Sequence, residues 1–473
     1  MKKDIFSNNN ADFVLLIYGA VMGSVLLWIS CALLPTQLNL MGIRVYILQL
    51  FLQDGTFISI ADGLLQIPDV HISYYFYTSL YGLLTGQTQA EDICIQVQLI
   101  AFGIIFFFLP CCVARLFCSL RLALISPVLF FLLIWQYFLH VFYTDYWGMG
   151  WVIFLSVPFL YLFLNSPGNS ATLWKIFAAL CVLVGIVNIP RAHSGIGIII
   201  MVVLLMLYKV CCYNDDGICK KIICSVCVIV LAGSGYFLFT SMIPNVYLSV
   251  LGYDNSMTAV KVNKMGAWHT LYIGLGWDSP ASIAPKLSFL ASENPYNIIY
   301  LDECAMEAVS RENQISIPES YIYIQEKLGY TTTAKIALSK TYTEGYFDIV
   351  KKLYLEAFEE HPLWFIGSYI KKLCVCILML LKDTFAYIAF VFLVYFITRK
   401  KHQVHFGNIV GKELYGVLVG LTFLGFLPGL VAVPAHVYLL ESVAAVQSIC
   451  FLMLLEILAS IPFFKKDGNL YGG

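Results

Sequence analysis

Four short stretches carry the side chains able to do chemistry. In "LQDG", Asp54 follows the apolar run "MGIRVYILQLF", which is too short to span a bilayer. Gly55 fits the end of an interfacial helix or the start of a turn. A carboxylate there is a general base if a hydroxyl comes within reach, and otherwise a helix cap or a solvated acid. In "IPDVHIS", Pro68 breaks any helix running on from Asp62, so Asp69 and His71 sit at a turn opening an aromatic helix near Ser73. Asp69 can cap that helix or meet substrate, and His71 can orient a carboxylate or contact a phosphate. In "NIPRAHSGIG", Arg191 and His193 lie between Pro190 and Gly195. A guanidinium and an imidazole on a tight turn suit a cluster of phosphate oxygens. The alternative is a snorkelling arginine paired with an acid such as Asp145. In "KVNKMGAWHTLYIGLGW", Lys264, Trp268, His269 and Tyr272 combine a cation, rings and an imidazole. Aromatic faces with scattered hydrogen-bonding groups suit sugar rings, and suit interfacial anchoring equally well. The adjacent Asp302 and Glu303 diverge on a helix and read as a cap rather than a metal pair.

The elements that must position these groups are membrane helices. The chain has 473 residues, 60% hydrophobic and only 12% charged, with a mean hydropathy of +0.81. Soluble domains carry about 25% charged residues. The pattern predicts an all-α polytopic membrane protein and lacks the alternation of a β-barrel. A net charge of −1 gives no electrostatic reason to expect a nucleic-acid partner. Cys211, Cys212 and Cys219 resemble a metal knuckle, but Lys220 and Lys221 beside them favour a plain cytosolic loop, and no metal ligand set is assigned.

About ten apolar runs fit as spans: 12–34, 96–114, 122–143, 150–165, 174–190, 196–212, 222–243, 383–398, 412–432 and 437–463. With both termini cytosolic, the clusters around Lys2, Arg115, Lys220, Arg399 and Lys465 all fall on one side, as the positive-inside rule asks. The chain then divides into a tail and first span (1–34), an outer loop with interfacial helices (35–95), spans two to seven (96–243), a large outer loop (244–362) and an interfacial helix with the last spans (363–473). The pair Lys371-Lys372 marks that interfacial or oblique helix ahead of the eighth span. Histidines 71, 140, 193, 269, 361 and 436 map to the outer side, which makes that side the place to look for chemistry.

The first outer loop resembles that of GT-C-type integral-membrane glycosyltransferases. The likeness lies in the aspartate of "DG" after the first span and in "PDVHISYYFYTSLYGLLTG". Many members carry His-Pro-Pro where this chain has Asp69-Val70-His71. The resemblance covers the first 90 residues or so and parts of the second loop; the remaining spans match in architecture alone. It implies a donor sugar on a polyprenyl phosphate, with Asp54 as the catalytic acid or base. Arg191, His193, Lys264 and His269 would meet the donor phosphate, and Asp69, His71, Trp268 and Tyr272 the substrate. The acceptor would be a hydroxyl of a glycan, lipid or protein, at the outer face of a bacterial plasma membrane. No cofactor is required by this scheme, and a divalent metal such as Mg or Mn at Asp54 is compatible with it. Two rivals share the architecture. A lipid-linked oligosaccharide polymerase or ligase would lean on Arg and His of the later loop. A transporter or flippase would need polar groups in mid-membrane, for which Glu441 and Glu456 are the exceptions to otherwise clean spans.

Overall fold

In the computed structural model, the described residues are 9–33, 48, 52, 56–57, 60, 72–141, 147–168, 170–190, 194–212, 217–252, 267–275, 346–432 and 434–464. Every regular element among them is helical. In chain order these are α1 (Asn9–Leu33), α2 (Ile72–Thr85), α3 (Ala90–Phe117), α4 (Leu120–Val141), α5 (Trp147–Asn165), α6 (Ala171–Val187) and α7 (Ile196–Cys212). They continue with α8 (Ile218–Phe237), a π turn (Leu238–Met242), α9 (Ile243–Val250), α10 (Ala267–Leu275), α11 (Tyr346–Glu360) and α12 (Pro362–Arg399). The last are α13 (Lys412–Leu424), α14 (Leu427–Val431), a 3-10 turn (His436–Leu439), α15 (Leu440–Ser460) and a 3-10 turn (Pro462–Phe464).

Seven of the described helices or helix runs are long and apolar enough to cross a bilayer, and three shorter apolar ones are Leu120–Trp135, Ala171–Val187 and Ile196–Cys212. The chain is therefore a polytopic α-helical membrane protein. Lipid offers no hydrogen bonds, so a spanning backbone must satisfy its own; the helix is the form that does so for these sequences. α15 is the hub. Its membrane window is 72% buried, against 17% for that of α12, and it packs on α4, α5, α12 and α13. The core around it is aromatic: Phe130 meets Phe154 and Phe451 edge-on, both at 5.2 Å, and Trp151 packs on Phe102.

One end of the bundle gathers basic residues. Arg115 pairs with Asp12, and Arg121 donates to the Phe463 carbonyl. Lys209 donates to the carbonyls of Phe163, Leu164 and Ser166, where α5 ends. A cation at a helix C-terminus satisfies carbonyls that the helix itself cannot. Glu456 closes the same end: it accepts from the backbone N–H of Gly407, Ile409 and Val410 and from the Tyr415 hydroxyl.

α12 differs from the expectation of a separate interfacial helix followed by a span. It is one uninterrupted helix of 38 residues, about 57 Å long at 1.5 Å per residue. Ser368, Lys372, Cys376, Leu380 and Thr384 recur every four residues on its buried face. That unbroken face packs against α14 and α15 and leaves no reason for a break at Lys371-Lys372.

Candidate functional site

At the end opposite the basic one, the described residues that flank the connection between α6 and α7 are buried, Asn188 and Ser194 among them. Asn188 donates its N–H to Val184 at 2.9 Å and Ile189 to Ile186 at 3.1 Å, so α6 finishes in a tightened turn at Pro190. α7 starts after Gly195, whose φ of +74° suits glycine. A β-carbon there would lie 2.7 Å from side-chain carbons of both Val152 and Val184. The Gly195 N–H is held by the Glu441 carboxylate at 2.6 Å, and Glu441 is only 2% exposed. Glu441 stands in the first turn of α15, so its carboxyl faces the N-terminal ends of two helices, where the first backbone N–H groups have no acceptor within the helix. From the other side, Ser73 at the start of α2 donates to the Ile189 carbonyl at 3.3 Å. Asn188 Oδ1 and Ser194 Oγ are buried with no hydrogen-bond partner among the described residues. Arg191 and His193, which fall between Pro190 and Ser194 in the sequence, lie outside the described residues.

α2 also gathers the first loop. Leu48, Leu52 and Ile60 are buried with Tyr74, Tyr75, Phe76, Ile93 and Leu248 in a second apolar cluster. Tyr247 donates to the Phe57 carbonyl, and Tyr74 donates to the Cys94 sulfur at 3.1 Å. Asp54, Asp69 and His71 themselves lie outside the described residues, as does Lys264.

The second part of the site is built around α10. Trp268 stacks edge-on to Tyr354 of α11 with centroids 5.8 Å apart, and Lys351 sits 5.4 Å over the Trp268 ring. Tyr354 and Tyr369 share a hydroxyl–hydroxyl hydrogen bond of 2.8 Å. Lys372, fully buried, lies 5.0 Å from the Tyr369 ring and donates to the carbonyls of Leu430 and Ala432 at 3.1 and 2.9 Å. Those carbonyls end α14, where Ala432 leaves helical geometry and Pro434 delays the next helix. α10 fits this junction because of Gly274: a β-carbon there would lie 2.4 Å from the Val431 carbonyl oxygen and 3.0 Å from Lys372 Nζ. Tyr272, four residues after Trp268 on α10, is 6% exposed. Burial pushes its phenol up to about 12, so it is a neutral hydrogen-bonding group at any cellular pH. His269 lies on the same helix, with its side chain outside the described residues.

The structure thus brings Trp268 together with Lys351, Tyr354, Tyr369 and Lys372, and it ties the start of α2 to Ile189 at the end of α6. Sequence reasoning did not select Lys372, Tyr354, Tyr369 or Glu441 as site residues. For Lys372 a signal was present, since it shares a four-residue rhythm with Ser368, Cys376 and Thr384, whereas Lys371 points outward. For Glu441 the signal was an acid in an apolar run. A further polar contact joins His436 Nδ1 to Asp383 at 2.7 Å, tying the irregular segment before α15 to α12. Among the described residues no group of three or more His, Cys, Asp and Glu side chains is arranged to hold a metal. No protein-family model, curated protein or solved structure matches the chain.

Proposed function

We propose that this protein is a membrane glycosyltransferase of the GT-C type, with ten spans, both termini cytosolic and its site on the outer side of a bacterial plasma membrane. It would move one sugar from a polyprenyl phosphate to an outward-facing hydroxyl of a glycan, lipid or protein. Asp54 takes the proton of that hydroxyl as its oxygen attacks the anomeric carbon. The bond from that carbon to the phosphate oxygen breaks, and the electron pair leaves with the polyprenyl phosphate. Arg191 and His193, with Lys264 and His269, stabilise the charge on the departing phosphate, and fixed charges of this kind give such a reaction its main acceleration. Asp69, His71, Trp268 and Tyr272 hold the sugar. No cofactor enters these steps, and Mg or Mn at Asp54 would help neutralise the phosphate.

The observation that carries this reading is the hydrogen bond from Ser73 to the Ile189 carbonyl. It supports a shared site because His71 precedes Ser73 by two residues and Arg191 follows Ile189 by two, and both ends of one phosphoester must be reached at once. The transport alternative draws on Glu441 alone, because Glu456 spends its oxygens on four donors of the basic end. The test is release of labelled sugar from a polyprenyl-phosphate donor by purified protein in liposomes. Asp54→Asn should slow release by a factor on the order of 10²–10⁴, and Arg191→Ala should slow it comparably. No release by the unaltered protein, with movement of the intact donor between leaflets, would replace this reading with the flippase.

A further inference from the structure

The π turn that follows α8 lies where two other helices deliver buried polar atoms. In this turn the Ile243 N–H donates to the Leu238 carbonyl, five residues back. Such widened turns recur at functional sites. The turn packs on both α6 and α2. From α6 comes Asn188. α6 and α8 touch through glycines: a β-carbon on Gly185 would collide with the Gly235 carbonyl, and one on Gly235 would stand 2.7 Å from Cys181 Cβ. Cys181, Gly185 and Asn188 share one face of α6 by their spacing. Asn188, 2% exposed, therefore continues that contact toward the π turn, which begins three residues past Gly235. From α2 comes Tyr77. Its ring meets Phe239 of the π turn with centroids 6.4 Å apart. Tyr77 stands one turn after Ser73, and a helical side chain leans back over the preceding turn. That direction leads to the Ile189 carbonyl, which Ser73 holds. Burial pushes the Tyr77 phenol up to about 12, so its oxygen keeps its proton. The Tyr77 hydroxyl and Asn188 Oδ1 are both buried with no hydrogen-bond partner among the described residues, and they do not bond each other.

A buried donor and a buried acceptor left apart at one junction call for a group that accepts from the first and donates to the second. A phosphate oxygen only accepts, and an ammonium only donates. A hydroxyl does both at a single atom. We infer that Tyr77 and Asn188 bind one hydroxyl of the sugar on the polyprenyl-phosphate donor, with Tyr77 donating to its oxygen and Asn188 accepting its hydrogen. Position selects the donor sugar over the acceptor. Asn188 precedes Arg191, the residue assigned to the donor phosphate, by three in the chain, and the transferred sugar is bonded directly to that phosphate. The inference rests on the donor-sugar part of the proposed function and adds which residues choose the sugar. A sugar lacking this hydroxyl leaves two buried groups unpaired, and sites of that kind discriminate strongly against the deoxy analogue.

Binding is measured apart from turnover. Undecaprenyl phosphates carrying radiolabelled glucose, galactose, mannose or arabinose are offered to the full chain in nanodiscs, and the sugar retained best is compared with its singly deoxygenated analogues. With the unaltered protein, one deoxy position should weaken retention by about a hundredfold and the others by less than about threefold. Tyr77→Phe should weaken binding of the complete sugar by about tenfold and lose most of the discrimination against that one analogue. Asn188→Leu should do the same. A merely structural role would not couple a side chain to a single substrate hydroxyl. Tyr77→Phe removes a hydroxyl with no partner in the fold, so its melting temperature should match that of the unaltered protein, and it decides the matter alone if Asn188→Leu fails to fold. Additive losses, an equal loss with every analogue, a clear drop in the melting temperature of Tyr77→Phe, or no retention of any of the four sugars would each overturn the inference. The first two would assign the pair to a bound water or to another part of the chain. Release of labelled sugar from the same samples separates the two ideas. Release without coupling leaves the transferase standing and removes this subsite; coupling without release does the reverse.

Discussion

Helix α15 carries two buried glutamates, one near each end of the bundle, and they are treated very differently. Glu456 takes four hydrogen bonds from the segment Gly407–Val410 and from Tyr415. Among the described residues Glu441 takes one, from Gly195. The contrast extends to their surroundings. At the basic end, Lys209, Arg115 and Arg121 each meet an acceptor. At the opposite end, Asn188 Oδ1, Ser194 Oγ, Ser368 Oγ and the Tyr77 hydroxyl are buried with no hydrogen-bond partner among the described residues, as are Ser156 Oγ and Gln447 Oε1 within α5 and α15. Buried polar atoms are nearly always paired in proteins, so unpaired ones that all lie away from the basic end ask for a reason. Folding alone explains the basic end. The rest of the bundle, the opposite end included, holds buried polar groups without such partners among the described residues, a departure from local consistency of the kind that functional sites tolerate.

The largest test of this difference compares the glutamates. Glu456→Ala strands three backbone N–H groups and a hydroxyl, and should cost about 3–5 kcal/mol, a scale set by breaking buried charged contacts. Glu441→Ala strands one N–H and removes a carboxylate that is costly to bury, so it should cost about 1–2 kcal/mol. Thermal unfolding in detergent reads both. Equal losses would break the comparison, because Glu441 would then be as structural as Glu456.

Lys372→Met comes next. It keeps the length and apolar stem but leaves the Leu430 and Ala432 carbonyls without their donor. The expected loss is about 2–4 kcal/mol, from two stranded acceptors. Limited proteolysis should show α10 and α14 released together, since Gly274 packs on the same carbonyls. If α14 opens and α10 stays protected, Lys372 pins only its own neighbour.

How much of this was legible in the chain follows from what each feature depends on. Among the described residues the apolar runs read from the sequence coincide largely with helices, seven of the helices being long and apolar enough to span, because span length and apolarity are local properties that lipid imposes. The inward side chain of Lys372 was not legible from its type. A lysine beside a second lysine reads as an interfacial pair; only the phase of the helix assigns one outward and one inward. The partners of Glu441 were not legible at all. Gly195 lies 246 residues away, and pairing over that distance is decided by how helices pack. The link from Ser73 to Ile189 is likewise tertiary. Residue type and hydropathy pointed to the end at which to look, and the fold supplied the neighbours.

Gly195→Ala addresses the turn itself. The positive φ and two valine carbons at 2.7 Å oppose any side chain, so the cost should be about 1–3 kcal/mol, the range for overpacking combined with backbone strain. A loss of donor turnover larger than the loss of folded protein would show that the path of this turn matters to the site. Losses in parallel would reduce it to a packing position.

The smallest expected effect is the most discriminating. Ser194 is fully buried, and its hydroxyl has no hydrogen-bond partner among the described residues. Replacing it with alanine removes an unsatisfied polar atom and little volume, so stability should stay within about 0.5 kcal/mol or rise. Phe163, by contrast, lies at the basic end, where its ring and carbonyl both meet Lys209; Phe163→Leu there should lower stability and leave donor turnover per folded molecule unchanged. If the two ends differ as their hydrogen bonding indicates, Ser194→Ala gives the reverse pattern: an intact melting profile with slower sugar release. A clear drop in stability for Ser194→Ala would mean that its hydroxyl has a structural partner after all, and the two ends of the bundle would no longer be different in kind.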